Sequence, residues 1–285
     1  MTNDLSAKIE ALMPSFSKGQ RRIANAILNN YDKAAYMTAA KLGAMVNVSE
    51  STVVRFANEL GFGGYPELQR AVQELVRAKL THNQRIEVSN LRIGDGDVLE
   101  KTLLSDIGKI RYTLEHIDRK AFESAVSALV KARNIYILGV RSSASLASFL
   151  NFNLSLIFSN VKFVQPSSSS EVFEQIIEIG EDDVLFAISF PRYSTKIVNA
   201  VKYARAENAT VISLTDSTVS PIAEYATCLL TAQSDMASFV DSLVAPLSII
   251  NAIIVAVTKQ RETEITKRFD RLERIWDEYD VYAKK

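Results

Sequence analysis

The apolar residues of this 285-residue chain change their period once along its length. Over residues 1–80 they recur every three or four positions, as in Ile23, Ile27 and Leu28 or Val53, Phe56 and Leu60, and no strand-like run interrupts them. That spacing predicts an all-α domain. Beyond residue 101 short β-branched runs at 134–138, 161–164, 184–189, 210–214 and 227–230 alternate with helical segments. Runs that are apolar throughout suit strands buried on both faces, and helices between them predict an α/β domain with a parallel, doubly wound sheet. Between the two patterns, residues 81–100 turn polar, with Thr81, His82, Asn83, Gln84 and Arg85 and then Gly94, Asp95, Gly96 and Asp97. The predicted organisation is a domain at 1–80, a linker at 81–100 and a second domain at 101–285, in line with a length beyond one compact core.

Local signals sharpen this outline. Ser17 followed by Gln20 is a capping box opening a helix at 18–30, and Gly61, Gly63 and Gly64 close a later one. The apolar stretch 243–257 carries Pro246, Ser248 and Asn251 within fifteen residues, too short and interrupted to span a bilayer, so it reads as a core helix. A charged helix at 264–279 presents Ile265, Phe269, Leu272, Ile275 and Trp276 as one stripe. Cys228, the single cysteine, sits in an apolar run and reads as a small buried hydrophobe. With no signal-peptide pattern in residues 1–10, the expectation is a cytoplasmic protein that makes no membrane contact. No metal-ligand spacing, Walker loop or Ser-His-Asp arrangement is present, so no metal, cofactor or catalytic residue is expected. The net charge of zero hides a tilt: residues 1–80 hold ten Lys/Arg against seven Asp/Glu, the remainder 23 against 26. The basic excess lies where a phosphate backbone would want it.

Residues 38–60 read as two short helices joined by a tight turn. Gly43 is small where the second helix passes close, Asn47 tolerates the left-handed backbone of a three-residue turn, and Ser49, with Thr52 three residues on, caps the second helix. In a helix-turn-helix the first residues of the second helix face base edges, which makes Ser49, Glu50, Ser51, Thr52 and Arg55 the candidate contacts to an operator in double-stranded DNA. Val48, Val53 and Phe56 fall on the inward side. Lys18, Arg21 and Arg22 either touch the duplex backbone or form a solvated basic face.

In the second domain two strands run into hydroxyl-rich turns. The run 135–147 leads from a strand through Gly139 to Ser142 and Ser143 at a helix start; 184–196 leads through Ser189 and Arg192 to Ser194 and Thr195. Helix N-termini above strand ends favour an anion, and Arg192 adds a planar donor suited to phosphate or carboxylate. The expected ligand is a small anionic metabolite.

This order of parts resembles the RpiR-type regulators, which join an N-terminal helix-turn-helix to a sugar isomerase (SIS) domain that binds phosphosugars. The resemblance covers essentially the whole chain and rests on residues 17–22, 48–56 and 60–68 in the first domain. In the second it rests on Gly139 with Ser142 and Ser143, and on Ile188 and Ser189 followed by Ser194 and Thr195. It implies a transcriptional regulator whose effector is a phosphosugar or related sugar acid, with Ser143 and Ser189 as phosphate-binding positions. Two departures stand out: Arg141 occupies a position usually held by a second glycine, and Pro191 and Arg192 replace the usual Ser-Gly pair of the second turn. A rival reading is a phosphosugar aldose-ketose isomerase, which needs a general base near the sugar. His82 and His116 are poorly placed for that, Glu171 and Glu174 suit a surface helix better, and a helix-turn-helix has no use in such an enzyme. Because one helix-turn-helix reads few base pairs, a homodimer or homotetramer is expected.

Overall fold

The computed structural model describes residues 5–77, 82–93, 96–168, 170–235, 238 and 240–282. They divide into two compact units, residues 1–102 with 236–241 and residues 103–235 with 242–285.

Among the described residues the first unit is helical: α1 (Leu5–Leu12), α2 (Lys18–Asn29), α3 (Tyr31–Ala34), α4 (Ala39–Met45), α5 (Glu50–Glu59), α6 (Tyr65–Arg77) and α7 (His82–Ile93). Its core gathers Ile9, Ile23, Leu42, Val53, Phe56 and Leu68 from five of these helices. The capping box at α2 forms as expected, with Ser17 N–H donating to Gln20 Oε1 at 2.8 Å and Gln20 N–H to Ser17 Oγ at 3.4 Å. Gly61, at φ +81°, takes the left-handed backbone just past α5. The loop into α6 is held by Tyr65, whose buried hydroxyl donates to the Met37 carbonyl at 2.7 Å and is pushed up to about 12 by burial.

The stretch expected as a linker is mostly helical. Residues 82–93 form α7, and α8 (Val98–His116) starts before residue 100. Two polar side chains of α7, Arg85 and Ser89, are buried. Arg85 Nη1 pairs with Asp241 Oδ1 at 3.1 Å inside the first unit, both side chains less than a tenth exposed.

The second unit continues with α9 (Arg119–Lys131), β1 (Ile135–Gly139), α10 (Ser143–Ile157), β2 (Val161–Val164), α11 (Ser170–Ile176) and β3 (Val184–Ile188). It ends with α12 (Thr195–Ala206), β4 (Thr210–Thr215), β5 (Cys228–Thr231), α13 (Val244–Gln260) and α14 (Glu262–Glu278). The strands form one parallel sheet in the order β2-β1-β3-β4-β5. β1 and β3 are buried at every residue, as their unbroken apolar runs require, whereas the edge strands β2 and β5 are only partly covered. One apolar layer packs α9, α10 and α13 on the sheet, and the other packs α11 and α12 on the opposite face. No described helix is long and apolar enough to cross a membrane. Cys228 lies in the first layer, 4% exposed, and burial pushes its thiol up from the ordinary value.

At the N-terminal end of the sheet one carboxylate ties two strands together. Asp183, fully buried, accepts from Arg133 Nε at 3.0 Å, from Asn134 Nδ2 at 2.9 Å and from the Gly180 N–H at 3.0 Å. Burial works against its charge, but the hydrogen bonds from Arg133, Asn134 and Gly180, with the Arg133 charge, outweigh it and hold the carboxyl below the usual range. A depressed folded pKa stabilises above the unfolded value, about 4, and that stability is lost as pH falls through the folded value. The urea midpoint of the second unit should therefore drop on acidification below about pH 4, and Asp183→Asn should flatten that drop.

Candidate DNA-reading and effector sites

The turn between α4 and α5 is dictated by two residues. A Cβ on Gly43 would stand 2.8 Å from the Val48 carbonyl oxygen, so the helices close only over glycine, and Asn47 takes φ +54°. Val53 and Phe56 are fully buried and Val48 packs against the same core, which turns the other face of α5 outward. Ser49 occupies the N-cap position of α5 in extended backbone but does not cap through its side chain. Its hydroxyl instead meets Ser51 Oγ at 2.9 Å and Thr52 Oγ1 at 2.8 Å, a cluster that short hydroxyl side chains form when they crowd one helical turn. Arg55 lies along this cluster, its Nε donating to the Ser51 carbonyl at 3.3 Å and its Nη2 to Thr52 Oγ1 at 3.4 Å. Glu50, Ser51 and Arg55 are exposed.

The start of α2 sits against the same turn. A Cβ on Gly19 would lie 3.3 Å from Val48 Cγ1 and 3.6 Å from Thr52 Cγ2. Arg22 donates to the Asn47 carbonyl at 3.4 Å, while Arg21 reaches the Pro14 carbonyl at 3.0 Å. Lys18 and Arg22, both exposed, thus lie beside the start of α5, on a surface with cationic side chains and hydroxyls around one helix N-terminus.

In the second unit the sheet order creates a crevice. From β1 the chain passes through α10 to β2, and from β3 through α12 to β4, so crossovers leave neighbouring strands in opposite directions and on opposite faces. Ligands of doubly wound sheets sit at such a switch point, above the strands' carboxyl ends. Gly139 and Ile188 are register partners at those ends, so the turns carrying Ser142 and Ser143 and those carrying Ser189 and Arg192 begin side by side. Gly139 is required: a Cβ there would stand 2.6 Å from the Ser143 carbonyl oxygen and 2.9 Å from Ala147 Cβ. Arg141, where a second glycine was expected, takes φ +56°, the backbone that explains the preference for glycine at that position. The turn conformation thus survives the substitution and carries an exposed cation.

The two helix starts are not equivalent. At α10 the Ser143 and Ala144 N–H groups close back onto the Val140 and Arg141 carbonyls at 3.2 and 3.1 Å, and Ser142 makes no side-chain cap. At α12 Ser194 makes no side-chain cap either, and the first bonds back to its carbonyl come from Ile197 and Val198. The Thr195 and Lys196 N–H groups ahead of them find no acceptor among the described residues, as a helix N-terminus leaves them. Ser143 and Ser189 are buried, Ser194 is half-buried, and Arg192 and Thr195 are exposed. Arg192 forms no ion pair or hydrogen bond with a described residue.

Two supporting contacts were not legible in the sequence. Tyr193 Oη donates to Asp216 Oδ1 at 2.9 Å, tying the β3 turn to the end of β4. Glu171 accepts from Ser167 N–H and Oγ, both at 2.6 Å, and so holds the turn after β2. Those bonds keep its carboxyl below the ordinary value, the reverse of what a general base near neutrality needs. Glu174 is exposed on α11, His82 opens α7 in the first unit, and His116 in the last turn of α8 is bound to the Tyr112 carbonyl at 2.8 Å.

Comparison with known proteins gives concordant matches to both units. The helix-turn-helix domain of the rpiR family matches residues 3–79, and the SIS domain matches residues 128–256. The HTH-type transcriptional regulator HexR of Escherichia coli is 26% identical over 276 residues, covering 93% of this chain and 91% of that protein. HexR of Pseudomonas aeruginosa is 27% identical over 282 residues, covering 94% of each. Among solved structures, the Vibrio vulnificus NanR protein complexed with ManNAc-6P superimposes with a TM-score of 0.61 at 21% identity, covering 99% of this chain and 100% of that one. At that identity the likeness is one of fold.

Proposed function

Because the chain belongs to the RpiR-type transcriptional regulators, an rpiR helix-turn-helix domain followed by a SIS domain, we propose that it reads an operator through α5 and senses a small sugar-derived anion at the switch point of its sheet. The effector is a phosphosugar or a sugar acid. The observation that carries this is Arg192, a guanidinium with no partner among the described residues beside the open N-terminus of α12. A helix N-terminus and a planar cation together favour phosphate or carboxylate oxygens, and the buried Ser143 and Ser189 hydroxyls close the site from below. Gly139 and Ser142 shape the first turn, and Ser194 and Thr195 shape the second. That a protein of the same fold has been solved with ManNAc-6P supports the phosphosugar reading.

On the DNA side, Ser49, Glu50, Ser51, Thr52 and Arg55 face base edges in the major groove, and Lys18 and Arg22 touch the flanking phosphates. The chain acts by binding, not by turnover: the relatives it matches are named as transcriptional regulators, and the Ser167 hydrogen bonds that hold the Glu171 carboxyl below its ordinary value work against a base acting near neutrality.

The test has an effector arm and a DNA arm. A thermal-shift screen of sugar phosphates and sugar acids should raise the melting temperature selectively, because a ligand of the folded state stabilises it by mass action. In operator titrations at fixed salt, Arg55→Ala should cost about 1–3 kcal/mol, the worth of a bidentate base contact, while leaving the effector shift intact. Isomerase turnover with the hit compound, or unchanged operator affinity in the variant, would refute the corresponding half.

A further inference from the structure

Four described residues other than glycine take left-handed backbone: Asn47, Arg141, Asn208 and Asp280. Asn and Asp tolerate it because a short polar side chain can bond locally, whereas an arginine bears the full crowding of its Cβ against the carbonyl. No described residue offsets this at Arg141, which is exposed and makes no ion pair, hydrogen bond or ring contact with any of them. Strain of that kind collects at ligand sites, and Arg141 stands two residues past Gly139, beyond the carboxyl end of β1. Arg192, in the turn after β3, is exposed and unpaired in the same sense. Because Gly139 and Ile188 are register partners, the two guanidiniums belong to neighbouring turns, and like charges there repel until each meets an anion. The carboxylates of the adjoining turns are engaged elsewhere: Glu171 by Ser167, and Asp216 by Tyr193 Oη at 2.9 Å and Thr215 Oγ1 at 3.2 Å. Where the two turns begin, the buried hydroxyls of Ser143 and Ser189 also have no partner among the described residues. Buried hydroxyls are as a rule bonded, so a pair left open in one crevice points to oxygens brought by a ligand.

The two turns differ in what else they offer. At the start of α12 the Thr195 and Lys196 N–H groups find no acceptor among the described residues, and with Arg192 they supply donors in more than one plane, as the tetrahedral oxygens of a phosphate require. At the start of α10 the Ser143 and Ala144 N–H groups are already turned onto the Val140 and Arg141 carbonyls. What remains there is the planar fork of Arg141, which matches the two oxygens of a carboxylate. We propose that the effector is a phosphorylated sugar acid, its phosphate held by Arg192 and the start of α12 and its carboxylate met by Arg141. The inference rests on the effector site proposed above and narrows it from either anionic group to both in one molecule.

Calorimetric titration of the full chain tests this with matched sets of compounds: glucose 6-phosphate, gluconate and 6-phosphogluconate, and the same three built on other common hexoses. Within the set that binds, the compound with both groups should bind at least about 10-fold more tightly than either mono-anion, the lower worth of a charge-assisted hydrogen bond. Arg141→Ala should remove that advantage and bring its affinity down to that of the sugar phosphate. Arg141→Gly should do the same and, without ligand, melt about 2–4 °C above the alanine variant, because glycine takes left-handed backbone that alanine resists. Four results would each overturn the proposal: no phosphorylated acid outbinding both of its counterparts, an alanine variant that keeps the advantage, a glycine variant that melts no higher than the alanine one, or equal weakening of the sugar phosphate by Arg141→Ala. The last would mean that both guanidiniums clamp one phosphate. Failure of the underlying site reads differently. An Arg192→Ala variant that binds every compound as tightly as the parent would remove the switch point itself, whereas weakening by Arg192→Ala with none by Arg141→Ala would sink only the carboxylate assignment.

Discussion

Gly139→Ala should abolish effector binding, lowering affinity at least 100-fold, and destabilise the second unit by about 3 kcal/mol, the upper part of the range for overpacking a filled site. The added methyl has nowhere to go. It would stand 2.6 Å from the Ser143 carbonyl oxygen and 2.9 Å from Ala147 Cβ, so the backbone of the first turn of α10 must move, not merely a side-chain tip. That movement carries away the Ser143 hydroxyl and unsettles the Arg141 turn. Gly139 is also the register partner of Ile188, so the disturbance reaches the neighbouring turn. Urea unfolding followed by calorimetric titration of the effector would measure both effects. Operator binding without effector should be unchanged, because α5 belongs to the other unit. An alanine variant that binds effector as tightly as the parent would show that the crevice between β1 and β3 is not the site.

Arg192→Ala should lose about 1.5–3 kcal/mol of effector affinity, some 10- to 150-fold, the usual worth of a hydrogen bond to a charged group. The guanidinium stands at the opening of α12, where the Thr195 and Lys196 N–H groups already supply partial positive charge. Arg192→Lys should recover only part of the loss, because an ammonium cannot hold two oxygens in one plane. With no described residue pairing with Arg192, its removal leaves no partner stranded, and the melting temperature of the free protein should stay close to the parent's. Calorimetry with the compound found in the thermal screen decides the matter. Equal affinity in the alanine variant would remove Arg192 from the site and leave Ser143 and Ser189 as its remaining candidates.

The sequence carried the fold well where one physical requirement dominates each residue. β1 and β3 are buried on both faces, so their runs are apolar without a break, and all five strands fall within about two residues of the positions read from β-branched runs. Gly43 and Asn47 were legible because close approach and positive φ each admit few residue types. The failures have the opposite character. α7 and the inner face of α8 bury polar side chains in pairs, Arg85 with Asp241 and Lys109 with Asp106, and such partners lie far apart or on one turn where no periodicity reveals them. Ser49 holds the capping position, but hydroxyl-to-hydroxyl bonds take its side chain, a competition that residue preference does not register. At the switch point the residue types were readable, whereas the difference between the closed start of α10 and the open start of α12 depends on backbone bonds alone.

The solitary thiol of Cys228 makes this chain a convenient object for site-directed probes. At 4% exposure, with ionisation opposed by burial, it should react slowly with maleimides, because only the thiolate is nucleophilic. A cysteine placed on an exposed position would then be the one fast-labelling site without any background substitution. A fluorophore or spin label at position 58, exposed on α5, would report operator engagement in otherwise native protein.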